Sequence, residues 1–149
     1  MDDKTAILIP ETTYHVYNRA NGNEQLFVKE ENFSYFLEKY KQYISPIADT
    51  FCYCLMPNHF HFLIRIKTEN ELAKYFKIDG SNLTGFENLS GLLAKKFSDF
   101  FNAYSKAINK QQNRKGSLFM RPFKRKRITD EKYILKLVHY IHYNPVEQA

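Results

Sequence analysis

The chain has no tryptophan and only two cysteines, and it lacks any long apolar run. Cys52 and Cys54 stand one residue apart. A disulfide across i and i+2 would be badly strained, which excludes a stapled secreted scaffold and predicts two reduced thiols. A Cys-x-Cys pair is half of a zinc site, and there is no second cysteine pair to complete it. No stretch approaches the ~20 apolar residues of a membrane span. "MDDKTAILIP" is acidic at once and its apolar run is too short for a secretion signal. The expectation is a cytoplasmic protein with no membrane segment. Repeats, low-complexity tracts and an interdomain linker are absent as well, so residues 1–149 read as one domain, long enough to bury a core without staples.

Acidic residues are outnumbered, 16 against 22 Lys and Arg, for a net charge of +6. That balance predicts attraction to polyanions without saying which. Aromatics are plentiful, with 13 Phe and 11 Tyr.

Along the chain, "TTYHVYNRA" (12–20) reads as a strand from its β-branched and aromatic residues, and Asn21-Gly22 as a turn. Phe33, Phe36, Leu37, Tyr40 and Ile44 recur at helical spacing over 31–44, and Pro46 ends that helix. Residues 47–56 and 59–66 read as a hairpin around Pro57-Asn58. Residues 67–87 are the least regular, with a short helix over "NELAKYFK". A long helix spans 87–112 on the stripe Leu89, Leu92, Leu93, Phe97, Phe100, Phe101, Tyr104, Ile108. The basic stretch 114–128 is extended in part, with a turn at Gly116, and another amphipathic helix covers 130–144 before Pro145. Strand, helix, hairpin, helix, strand, helix is the order of an α+β, ferredoxin-like split βαβ sandwich: a central antiparallel sheet with helices packed on it.

The sharpest chemical feature is "MPNHFHFLI". On a strand, i and i+2 share a face, so His59 and His61 project together while Phe60 and Phe62 project oppositely. Neutral imidazole is the commonest metal ligand, and a rigid pair holds most of a site. Two polar residues on a solvent face explain the same pattern, because two ligands are too few to define a site. Tyr104, on the long helix, has two readings. A tyrosine attacks phosphorus without a general base where a metal polarises the phosphate, and an aromatic at helical spacing packs at the core edge.

The segments "YHVYNRANGNEQLF", "CLMPNHFHFLI", "FNAYSKAINK…RKGSLFMRPFKRKRI" and "YILKLVHYIHYNPV" resemble, in the same order, those of REP-associated tyrosine transposases, single-tyrosine HUH transposases of insertion sequences. The resemblance covers almost all of 12–146. It implies an HUH endonuclease-like fold in which His59-Phe60-His61 is the HUH motif and the two histidines hold Mg²⁺ or Mn²⁺. It implies Tyr104 as the nucleophile, ahead of the "RxGxLF" segment, with catalytic residues Tyr104, His59 and His61. The implied chemistry nicks and rejoins single-stranded DNA beside a hairpin of a repetitive palindromic element, through a 5′-phosphotyrosine link and a 3′-hydroxyl. Family members carry a third ligand, Gln or Asn, about one turn after the tyrosine. Here position i+4 from Tyr104 is Ile108, which cannot ligate, and Asn109 faces away by more than a quarter turn. Relatives run some tens of residues past "YIHYNPV", whereas this sequence stops at Ala149. They occur as monomers and as homodimers, and both states stay open.

For DNA contact the expected residues are Asn18 and Arg19 at the end of the first strand, and Arg114, Lys115, Arg121, Lys124, Arg125, Lys126 and Arg127 in the basic stretch. Tyr17, Phe119 and Phe123 are candidates for stacking on unpaired bases. Two rival readings keep different parts of this pattern. One is a domesticated nucleic-acid-binding protein of the same fold whose cleavage is impaired. The other is a His-metal hydrolase of small phosphoesters, which has no use for a basic run.

Overall fold

The structure, a computed structural model, describes residues 4–78, 86–130 and 132–139. Its elements are β1 (Thr13–Arg19), α1 (Glu30–Tyr43), β2 (Ala48–Met56), β3 (His59–Ile66), α2 (Glu69–Phe76), α3 (Phe86–Gln111) and β4 (Lys124–Ile128). A further helical segment covers 132–139. The sheet runs β2-β3-β1-β4 and every pairing is antiparallel. Each crossover, β1 to β2 and β3 to β4, skips one strand, which is the split βαβ plan expected from the element order.

The expected strand at 12–20 is seen at Thr13–Arg19, the helix at 31–44 as Glu30–Tyr43, and the helix at 87–112 as Phe86–Gln111. Of the extended stretch 114–128, only Lys124–Ile128 pairs as a strand. Gly116 has φ 88°, so its turn uses the left-handed region that glycine enters without strain. Of the expected 130–144 helix, 132–139 is seen, and 140–144 lies outside the described residues. Local chemistry fixes the helix starts. The Asn32 carboxamide oxygen accepts from the N–H of Val28 and Lys29, at 3.0 and 2.8 Å. Thr68 and Glu71 form a capping box at α2.

The sheet buries both faces. On one, Phe60 and Phe62 of β3 and Tyr14 and Val16 of β1 meet α1 and α3 in an aromatic core with Phe36, Phe97, Phe100 and Tyr104. Phe36 touches Phe60, Phe62, Phe100 and Tyr104. On the other face, Cys52, Cys54 and Met56 of β2, Leu63 of β3 and Ile128 of β4 pack with Leu137 of the 132–139 segment. Both cysteines are reduced and buried there. Among the described residues, no helix is long and apolar enough to cross a membrane.

Candidate metal and nucleic-acid site on the histidine face

Strand register brings the site together. β3 pairs with β1 so that His59 stands opposite Arg19, His61 opposite Tyr17 and Leu63 opposite His15. β4 pairs with β1 so that Lys124 stands opposite Tyr17 and Lys126 opposite His15. By the two-residue period of a strand, His59, His61, His15, Tyr17, Arg19, Lys124 and Lys126 share one face. It is the face that the 132–139 segment covers at its Leu63 end, where Lys126 lies 4.6 Å from the Tyr133 ring centre.

The two motif histidines are half-buried, with ring centres 5.2 Å apart and nearly perpendicular. The His59 Nδ1–H donates to the Asn58 side-chain oxygen at 2.8 Å, so its lone pair is on Nε2. His61 Nδ1 meets His15 Nε2 at 2.9 Å. The rings of His15, Tyr17 and His61 form a three-membered cluster, with centres 4.5 to 5.9 Å apart. Burial holds all three histidines below the usual imidazole range. His61 lies at about 4, through burial and then the neighbouring His59. His15 lies at about 3, through burial and then His61 and Lys126. His59 is lowered by burial and then by Arg19. All are neutral at pH 7, the state in which imidazole gives its lone pair to a cation. A histidine-ligated divalent ion therefore fits His59 and His61. Among the described residues, no group of three or more His, Cys, Asp or Glu completes such a site.

Tyr104 is not brought to this pair. Its side chain is fully buried in the α1–α3 core, where the hydroxyl donates to the Leu26 carbonyl at 2.6 Å and the ring meets Phe27 and Phe36. Phe60 and Phe62 occupy that side of β3, so the sheet separates Tyr104 from His59 and His61. Burial also raises its pKa, which opposes a phenolate. The physical reason is the sequence stripe itself: Tyr104 lies on the apolar face of α3, and that face packs.

Several expected DNA contacts are structural. Asn18 is buried, with its amide nitrogen donating to the Met120 carbonyl at 2.9 Å and its oxygen accepting from the Arg19 N–H. Arg114 bonds Asn109 and pairs with Glu24 at 3.4 Å, its side chain only 15% exposed. Arg125 donates to the carbonyls of Ala6 and Phe123 and lies over the Phe123 ring. Phe119 and Phe123 are buried in the aromatic core, closed to bases. Arg19, Arg121, Lys115 and Arg127 are exposed, and Lys124, Lys126 and Tyr17 half-exposed.

His15 went unnoticed in the sequence. The available signal was its two-residue spacing from Tyr17 on a strand able to pair with the His-x-His strand.

A four-stranded split βαβ sheet with a His-x-His pair on the face opposite its two main helices is the ferredoxin-like α+β architecture expected from the element order. A solved structure of the REP-associated tyrosine transposase bound to a REP hairpin is similar, with a TM-score of 0.65 and 14% sequence identity over 100% of this chain and 75% of that one. No protein-family model and no curated protein matches the chain.

Proposed function

We propose that the protein is a divalent-metal-dependent endonuclease and strand transferase of the transposase type, acting on single-stranded DNA that carries hairpins. One observation carries this reading: two neutral imidazoles from one strand stand on a sheet face that also presents Arg19, Lys124 and Lys126. His59 and His61 would hold Mg²⁺ or Mn²⁺, which when bound polarises the scissile phosphate. The lysines and Arg19 neutralise flanking phosphates, and Tyr17 offers a ring for stacking.

A nucleophilic tyrosine has to come from an element on the histidine face. The 132–139 segment lies there through Leu137. Tyr140 follows it directly, and Tyr133, Leu137 and Tyr140 recur at helical spacing in the sequence. Asn144 stands at i+4 from Tyr140. That supplies the tyrosine and amide spacing the transposase resemblance calls for, which Tyr104 and Ile108 fail to provide. Residues 140 and 144 lie outside the described residues. In this reading the Tyr140 oxygen attacks phosphorus, the P–O3′ bond breaks, and the 3′-oxygen leaves to become the free hydroxyl. The bond forms anew when that hydroxyl attacks the phosphotyrosine.

The test is a suicide assay: hairpin-bearing single-stranded DNA, Mn²⁺, and a denaturing gel for covalent adduct. Adduct should form with the unaltered protein and with Tyr104→Phe, and vanish in Tyr140→Phe and His59→Ala. Adduct persisting in Tyr140→Phe removes that tyrosine from the role. A second reading, an impaired, domesticated DNA-binding protein of the same fold, is favoured by the burial of Tyr104, the nucleophile expected from the sequence, in the core on the far side of the sheet. Tight binding with no adduct under any metal would select it.

A further inference from the structure

His15 is a polar residue buried in a strand whose neighbours Tyr14 and Val16 belong to the main core, and only 8% of its surface is exposed. Its contacts point to a purpose. Nε2 lies 2.9 Å from His61 Nδ1, so the two rings meet edge to edge, and the His15 ring lies against that of Tyr17 with centres 4.5 Å apart. A neutral imidazole carries one proton on one of two nitrogens, and the hydrogen bond at one nitrogen decides which is left to coordinate. With both rings neutral, the short contact requires that one nitrogen donate and the other accept.

We propose that His15 is a positioning residue that accepts the hydrogen bond of His61 Nδ1–H, fixing His61 in the tautomer whose Nε2 is unprotonated and able to coordinate a divalent cation. This rests on the metal reading of the His59–His61 pair. The same arrangement already exists one residue pair away. Asn58 accepts from His59 Nδ1–H at 2.8 Å, which directs that ring's lone pair to Nε2. Asn58 and His15 thus serve the two motif histidines in parallel, one from the turn before β3 and one from the neighbouring strand. The opposite assignment, with His15 donating to His61 Nδ1, would protonate His61 Nε2 and remove it as a ligand. The stack with Tyr17 holds the His15 ring in the plane this bond needs, since the His15 and Tyr17 rings are inclined by 28° and the His15 and His61 rings by 24°. Partners of this kind, bonded to a ligand's far nitrogen, typically change metal affinity about 10- to 100-fold when removed.

The experiment uses the full chain, ¹⁵N-labelled and metal-free at pH 7.5, with long-range ¹H–¹⁵N spectra of the imidazoles and Mn²⁺ titrations by calorimetry. His61 should appear as the Nδ1–H tautomer. His15→Phe keeps the ring stack and removes the acceptor. It should shift His61 toward the Nε2–H tautomer and weaken Mn²⁺ binding about tenfold or more. His15→Gln supplies an amide oxygen as acceptor and should restore both readouts, which a packing role alone would not do. An Nε2–H tautomer in the unaltered protein overturns the proposal. So does unchanged Mn²⁺ affinity in His15→Phe, or a direct ¹¹³Cd–¹⁵N coupling to His15 on cadmium loading, which would make His15 a ligand. Should His15→Phe not fold, the tautomer in the unaltered protein and the His15→Gln titration decide. Absence of Mn²⁺ binding by the unaltered protein sinks the metal reading itself, and with it this proposal. That outcome appears before any substitution is made, so the two failures are distinguishable.

Discussion

Burial sets the protonation of His15 and His61, and the consequence reaches stability. Their folded-state pKa values, about 3 and about 4, lie below the ordinary imidazole value near 6.5. Above that value both the folded and unfolded chains are neutral at these positions and the stabilisation is complete. As the pH falls from 6.5 toward 4, the unfolded chain takes up protons that the folded one refuses, so stability is lost. Urea midpoints should fall across that window. His15→Gln should reduce the slope by up to about 1.4 kcal/mol per pH unit, the effect of one proton; an unchanged slope would count against His15 being neutral in the folded state. Tyr104 belongs to the same scale. Its hydroxyl satisfies the Leu26 carbonyl, and the backbone N–H groups of Leu26 and Phe27 in turn donate to Pro57 at the turn that starts β3. Tyr104→Phe should cost about 1–3 kcal/mol in denaturant unfolding by leaving a buried carbonyl unsatisfied, with adduct formation retained.

At the scale of the element, β4 divides its charges by alternation. Lys124 and Lys126 stand opposite Tyr17 and His15, while Arg125 and Arg127 stand opposite Val16 and Tyr14 on the helix side. A run that looks uniformly basic in sequence is therefore two separate sets. Lys124→Gln and Lys126→Gln should each reduce the slope of log affinity against log salt by roughly 0.7, measured by anisotropy with single-stranded hairpin DNA. Arg125→Gln should instead lower stability, because its guanidinium donates to the Ala6 and Phe123 carbonyls. Equal salt effects from all four positions would show that strand alternation does not govern the contact.

At the scale of the molecule, the sheet carries two unequal cores. The larger one holds α1 and α3, and the smaller one places Leu137 over Cys52, Cys54 and Leu63. Burial raises the pKa of both thiols, so they should react slowly with a disulfide reagent in the intact chain. A chain ending after Asp130 should expose them and react many times faster while keeping the far-ultraviolet signal of the sheet and main helices. Slow reaction in the shortened chain would mean that Leu137 is not what covers them.

How much of this was legible varies with the range of the interaction that decides it. Helical and strand periodicity alone located α1, α3, β1 and the β2–β3 hairpin within a residue or so, because each buries one continuous stripe. Period two likewise put His59 and His61 on a common face and Phe60 and Phe62 on the other. The sequence could not decide which side of the sheet each helix takes. Tyr104 and the histidines read equally well as neighbours until α3 packed against Phe60 and Phe62. Nor could it show the register in which β1 meets β3. That register puts His15 against His61, and it depends on pairing between segments some 46 residues apart. Local spacing determined what each element presents, and long-range packing decided what each presented residue meets.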